Sequence, residues 1–441
     1  MLRHRIAASR GLASALLALL CHAVPAAALT DGQIAAGARR TPVGTREITT
    51  TLASSVFEGR DNQTEGSRRA REYLIGLLRE IGPGVSGGTE DAAYEHPFAQ
   101  GTNLAAVIPG RELPDEYVLI GAHYDHLGVS FGGEVFNGAT DNAAGVAVAI
   151  AVARAIRSLP EAPRRSVAVV LWDAEEDGLL GSIAWVGEPP IPIERTVAYV
   201  NLDIQGANLT PALARTSIAV GAETGGAPLS EIVTGAVRDE LQGSSRGVDT
   251  LPISYIFGQL RSDYATFVGA GVPTVFFSDS TGACYHTVLD DSRFVDFEKL
   301  ASQSRIAFRT TATLAEAATP PPFVTPNPAL ATYADAITLD TIFRRASPDL
   351  RLFGSEARRQ LQEVFAGVRA IVERGPDAFG AADVGTLLDA ALATLGTIDG
   401  NVECAGHFGR VGPSVVPGGR TRDGGRPVEG PRLPHLGHRR P

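Results

Sequence analysis

Four short apolar runs, each breaking off into acidic or histidine side chains, set the main constraint on this chain. Residues 117–122 run into His123-Tyr124-Asp125-His126, residues 167–172 into Asp173-Ala174-Glu175-Glu176, and residues 199–202 into Asp203. Residues 273–277 lead through a short loop to Cys284-Tyr285-His286. The runs are nearly continuous in Val, Ile and Leu, as in strands buried on both faces. Helical patterns lie around and between them: Tyr73, Leu74, Leu77, Leu78 and Ile81 recur at helical spacing, and residues 142–159, 229–241 and 297–317 read as helices. Residues 104–108 and 217–220 read as further strands. The expected architecture is α/β, a three-layer α/β/α sandwich with a mixed, mostly parallel central sheet. In such sheets ligands gather beyond the carboxyl ends of the strands. The polar ends are therefore expected at one rim, with Asp141 entering from the loop between two strands.

The rest of the chain divides by composition. Arg3, Arg5 and Arg10, an apolar stretch over 12–20 and the small residues Ala26-Ala27-Ala28 have the three-part layout of a secretory signal peptide. Residues 1–28 are expected to be cleaved and the protein to be secreted or periplasmic. Residues 29–45 read as a flexible leader and 46–318 as the main domain. A Pro-rich linker over 319–329 leads to a small C-terminal helical segment over 330–405, read as two amphipathic helices. The Gly/Pro/Arg-rich stretch 406–441 reads as a disordered tail. A formal net charge of −10 excludes nucleic-acid binding by bulk charge. The one long uncharged apolar run lies in the first segment and is too short to span a bilayer, so no stable membrane span is expected after cleavage. Three cysteines exclude a disulfide-dense scaffold. Whether Cys284 and Cys404 pair is left open, because spacing does not say how close their Cα atoms come.

Two histidines and several carboxylates converging from distant segments suit divalent cations, zinc above all. Carboxylates this dense repel one another unless cations lie between them, and two metals are the economical explanation. A two-metal site holds its ions about 3.5–4 Å apart and clamps a hydrolytic transition state. One carboxylate must then bridge the ions while another stays free to take a proton from water. Neighbouring Glu175 and Glu176 can divide those tasks, since adjacent side chains leave an extended backbone in different directions. His126 is set aside as a ligand because His123 already serves its neighbourhood, and Asp263 is read as a structural partner near Arg261.

The motifs resemble those of the M28 family of secreted zinc aminopeptidases. The matching pieces, in order, are Gly121-Ala122-His123-Tyr124-Asp125-His126-Leu127-Gly128, Asp141-Asn142-Ala143-Ala144-Gly145-Val146, Glu175-Glu176-Asp177-Gly178-Leu179-Leu180-Gly181-Ser182, Asn201-Leu202-Asp203, Arg261-Ser262-Asp263-Tyr264 and Tyr285-His286-Thr287. Phe57-Glu58-Gly59-Arg60 resembles the family's lead-in, and the likeness runs from about residue 45 to 317. It implies that 46–318 is a zinc peptidase catalytic domain with two zinc ions per chain and a peptide substrate. Asp141 would bridge the metals, Glu176 and His286 would complete one site, and His123 and Asp203 the other. Glu175 would be the base that activates a metal-bridging water, Tyr285 would stabilise the oxyanion, Asp125 would orient His123, and Arg261 would help position substrate. The chain departs from the family at Thr140, where an acid is common, and at Val288, where Pro is common; Cys284 beside Tyr285 is also unusual. The implied activity is aminopeptidase. Two alternatives remain open: a single-zinc glutaminyl-cyclase-like acyltransferase and a non-enzymatic binding protein on the same fold.

Overall fold

The computed structural model of the chain describes residues 28–282, 284–327 and 330–401. Residues 1–27 of the expected signal peptide, the end of the expected helical segment with Cys404, and the expected tail lie outside the described residues. Among the described residues eight strands form one mixed sheet: β1 Glu95–Phe98, β2 Gly101–Ile108, β3 Leu113–His123, β4 Arg165–Trp172, β5 Thr196–Leu202, β6 Thr216–Val220, β7 Asp249–Ile253 and β8 Thr274–Ser278. Their spatial order is β1-β2-β4-β3-β5-β8-β6-β7. The central strands β4, β3, β5 and β8 are parallel, whereas β2 runs antiparallel to β4 and β6 antiparallel to β8.

Both faces of the central strands are buried, which is why their sequences do not alternate. Along β4, Val167, Val169 and Leu171 join one apolar cluster, and Ala168, Val170 and Trp172 join another across the sheet. The first cluster packs against helices Glu65–Arg79, Ala144–Arg157, Gly226–Gly243 and Phe297–Glu316. The second is aromatic, with Trp185, Tyr199 and Phe267 beneath the short helices Leu180–Gly187 and Tyr264–Gly269. Parallel register pairs His123 with Trp172, Gly121 with Asn201 and Leu202 with Phe277. Four strands therefore end at one level, and the loops that follow them meet.

Three expectations need correction. The supposed flexible leader contains a helix, Asp31–Arg40, whose Thr30 and Gln33 form a reciprocal N-terminal cap. It packs closely on helix Phe297–Glu316: a Cβ at Gly37 would lie 2.3 Å from the Phe308 ring. Its buried face is only Ile34, Gly37 and Ala38, too small a stripe to stand out in the sequence. The edge strands β1 and β7 went unrecognised because edges need little apolar character, and Pro252 within β7 is tolerated only there. The C-terminal segment holds three long helices rather than two: Tyr333–Ala346, Ser355–Arg374 and Ala381–Asn401.

That helical unit is fastened to the β6–β7 edge. Asp335 accepts hydrogen bonds from the Ser254 backbone N–H (2.8 Å) and hydroxyl (2.7 Å). The Thr338 hydroxyl donates to the Pro252 carbonyl at 2.8 Å, and Arg345 pairs with Asp249. Val220, Ile253 and Phe276 of the sheet share one apolar cluster with Phe343, Val368 and Leu387 of the helices.

Candidate metal centre

The predicted ligands converge at the level where the strands end. His123, the last residue of β3, turns its Nε2 to within 3.2 Å of Asp203 Oδ1 and 3.2 Å of Asp141 Oδ1. His286 places its Nε2 3.2 Å from Asp141 Oδ2 and 3.1 Å from Glu176 Oε2. Asp141 thus presents a different oxygen to each histidine, which is what a bridging carboxylate must do. Glu175 Oε2 lies farther out, 4.0 Å from His123 Nε2.

The donors fit divalent cations. Ligand atoms about 2.0–2.1 Å from a tetrahedral zinc lie roughly 3.3 Å from one another, close to the spacings found. Asp141 Oδ2 is buried without a hydrogen-bond partner although the His286 nitrogen is 3.2 Å away, so the two atoms do not point at each other. His123-Asp141-Asp203 and His126-Asp141-Glu176 each bring three ligand atoms within 4.8 Å of one another.

Electrostatics says the same. Burial alone would depress the His123 pKa, yet Glu175 and Asp203 overcome it and hold it well above the usual value. At His286 burial is likewise outweighed by Asp141 and Glu176, and its pKa is pushed up to about 10. Burial works against ionised Asp141, but His123 and His286 keep its pKa well below the usual range. Glu175 goes the other way: burial raises it far above an ordinary glutamate, and Asp203 adds to the effect. Paired carboxylates whose surroundings push them apart in this way can take different roles, one ligating and one carrying a proton.

A buried scaffold holds the ligands. His123 Nδ1 faces the Asp125 carbonyl at 3.2 Å and its carboxylate at 3.5 Å, which leaves Nε2 for the cluster. The other Asp125 oxygen accepts from the Glu176 backbone N–H at 3.1 Å, tying the β3 and β4 ends together. Asp290, fully buried, accepts from the Thr140 N–H and hydroxyl and from the Asp141 N–H. Gly138 must be glycine: its φ is +54°, and a Cβ would lie 2.3 Å from the Asp141 carbonyl and 2.5 Å from the His126 ring. The Asp141–Asn142 peptide is cis. Arg60 is completely buried and donates to four carbonyls, those of Tyr124 (2.7 Å), Leu52 (2.7 Å), Asn137 (2.8 Å) and Gly138 (3.0 Å).

Tyr285 lines the cleft over the cluster, its ring stacked on His286 at 3.8 Å. Its hydroxyl accepts from the Arg261 guanidinium at 3.1 Å, and both residues line the cleft. Cys284, next to Tyr285, is in a disulfide; the pairing considered with Cys404 involves a residue outside the described set. His126, set aside as a ligand from the sequence, also lies in the cluster. It is buried, with Nδ1 2.7 Å from Glu176 Oε1 and 3.8 Å from Asp141 Oδ2. Its position one residue after Asp125 was the signal available, but sequence alone could not show that it turns toward a loop fifty residues away. Asp290 carried no motif and was missed.

Residues 103–311 match the model of peptidase family M28. Among curated proteins it is 35% identical over 235 residues to a probable glutamate carboxypeptidase LAMP1 of Arabidopsis thaliana, covering 50% of this chain and 32% of that protein. It is 33% identical over 141 residues to aminopeptidase NAALADL1 of Mus musculus, covering 30% of this chain and 18% of that protein. The chain thus spans a third or less of these relatives. Among solved structures, the LapA aminopeptidase of Legionella pneumophila superposes with a TM-score of 0.53 at 20% identity over 66% of this chain and 76% of that one. LapB of the same organism gives 0.52 at 18% over 67% and 78%. At these identities the structural likeness speaks for the fold.

Proposed function

We propose that the protein is a two-zinc metallo-exopeptidase, an aminopeptidase that hydrolyses the N-terminal bond of peptides, exported by its signal peptide to the cell exterior or periplasm. The observation that carries this reading is Asp141, which offers one oxygen to each histidine while Glu175 stands free beside them. His123 and Asp203 would hold one ion, His286 and Glu176 the other, and Asp141 both. Zinc bound there supplies Lewis acidity toward the scissile carbonyl and makes the attacking water more acidic.

The chain's own groups do the rest. Glu175 takes a proton from water as the water oxygen bonds to the carbonyl carbon, and its raised proton affinity suits it to that step. The Tyr285 hydroxyl, steadied by Arg261, donates to the oxygen that gains charge. As the C–N bond breaks, Glu175 passes the proton to the departing amine. The surplus of carboxylates gives a substrate ammonium a favourable place. A second reading is carboxypeptidase action, favoured by the Arg261 guanidinium at the cleft, where it can meet a terminal carboxylate.

The test is a chelator-reversible assay on peptides with free and blocked ends, run with elemental analysis. Two zinc ions per chain and cleavage that requires a free N-terminus support the proposal. Cleavage of N-blocked peptides at their C-terminal bond favours the second reading. One zinc with pyroglutamate formation indicates the glutaminyl-cyclase alternative, and metal-free protein without turnover indicates a binding protein. N-terminal sequencing of exported protein tests the signal peptide.

A further inference from the structure

The cleft does not end above the metal ligands. A cavity of about 60 Å³ lies over Asp141, Glu175, Asp203 and Tyr285. A second, of about 100 Å³, adjoins it, and the two share Ile218, Phe257, Gln259, Ser280 and Leu395 in their walls. Leu395 belongs to helix Ala381–Asn401, which, like helix Tyr333–Ala346, falls beyond the segment matched to the family. The inner chamber is floored by Ile342 and Phe343 of the latter helix and by Ala391. Phe343 is held by stacking on Phe365 at 4.2 Å. The floor is thus part of the apolar cluster that joins helices to sheet.

The chamber's chemistry is one-sided. Its single cation among the described residues is Lys299, which is 3% exposed and already engaged with Asp279 at 2.9 Å and the Ala207 carbonyl at 2.6 Å. An acidic side chain entering here would lose its water and find no free positive partner. A large aliphatic or aromatic side chain would find matching walls, in a volume on the scale of apolar cavities that take up a single small hydrocarbon, about 150 Å³.

Resting on the exopeptidase reading, we propose that the C-terminal helices are the specificity wall of the site. Leu395, facing Ile218 and Phe257, forms the threshold of a chamber that receives a large apolar side chain from the substrate's terminal residue. The helical unit therefore selects substrate rather than merely decorating the catalytic domain.

The test uses the full, zinc-loaded chain and two substitutions at a half-buried position that is expected to tolerate them. Leu395→Trp narrows the threshold and Leu395→Ala widens it. The readout is kcat/KM for leucine, phenylalanine, alanine and glutamate amides. A parallel readout is the calorimetric affinity of leucinamide and alaninamide for the Glu175→Gln form of each variant. Leu395→Trp should reduce the leucine-to-alanine ratio by about tenfold or more in both readouts, as expected when apolar contacts in a pocket are lost. Leu395→Ala should move preference toward phenylalanine, and glutamate should remain a poor substrate throughout. Turnover with ratios unmoved by either substitution overturns the chamber and leaves hydrolysis standing. Leucinamide binding that depends on Leu395 without turnover of any amide keeps the chamber and removes the exopeptidase reading.

Discussion

Replacing Arg60 by Met should unravel the scaffold under the metal ligands without touching a ligand. Burial pushes the guanidinium pKa down from its ordinary value to about 10, a penalty of about 3 kcal/mol at 1.36 kcal/mol per unit. Against this stand four hydrogen bonds from a charged donor, at about 1.5 kcal/mol or more each. The balance favours the native residue by about 3 kcal/mol, a large share of the 5–15 kcal/mol typical of a folded domain. Arg60→Met should lose that amount, because four dry carbonyls are left without a donor. Arg60→Lys should recover about half, since an ammonium has three donors and no planar fork. Urea unfolding of the metal-free protein can be followed by tryptophan fluorescence. Both tryptophans, Trp172 and Trp185, are buried in one cluster against the sheet. The expected result is a lower midpoint at unchanged slope. An Arg60→Met protein within about 0.5 kcal/mol of wild type would refute the reasoning.

Four further outcomes are expected. Glu175→Gln should keep both metals by elemental analysis and lose about 10²–10⁴-fold in kcat; full activity removes Glu175 from the role of base. Asp203→Ala should weaken one zinc far more than the other in a chelator titration, because Asp203 faces His123 and not His286; equal weakening contradicts the assignment. His126→Ala frees Glu176 Oε1 from its 2.7 Å partner and should cost about 10–100-fold in zinc affinity, read by competition with a chromophoric chelator; unchanged affinity would make His126 a bystander after all. Asp290→Ala leaves the Thr140 and Asp141 N–H groups buried without an acceptor, for a loss of about 2–4 kcal/mol in urea unfolding.

The sequence was most legible where burial is symmetrical. Strands β3, β4 and β5 announced themselves because both faces are covered, leaving no polar alternation to confuse with a loop. His123, Glu176 and Asp203 stood out because a carboxylate or imidazole at the end of such a run has no packing reason to be there, whereas Asp141 and His286 lie in loops and the division of all five into ligand roles rested on the family resemblance. Residues whose work depends on three-dimensional closure were opaque. His126 and Asp290 act on Glu176 and Asp141 across 50 and 149–150 residues of sequence. Nothing local distinguishes them from solvated neighbours. The leader helix Asp31–Arg40 was hidden for another reason: its contact works through the smallness of Gly37, and periodicity searches look for bulk.

Lys299, locked between Asp279 and the Ala207 carbonyl, is the chain's sole lysine. Reagents that acylate ε-amines, whether dyes, biotin esters or bifunctional cross-linkers, therefore meet no such target on the folded surface. Amine-directed labelling of the folded molecule is therefore confined to its terminal α-amine, its abundant carboxylates offer the other route, and any ε-amine labelling that does occur is a direct report of unfolding around the inner chamber.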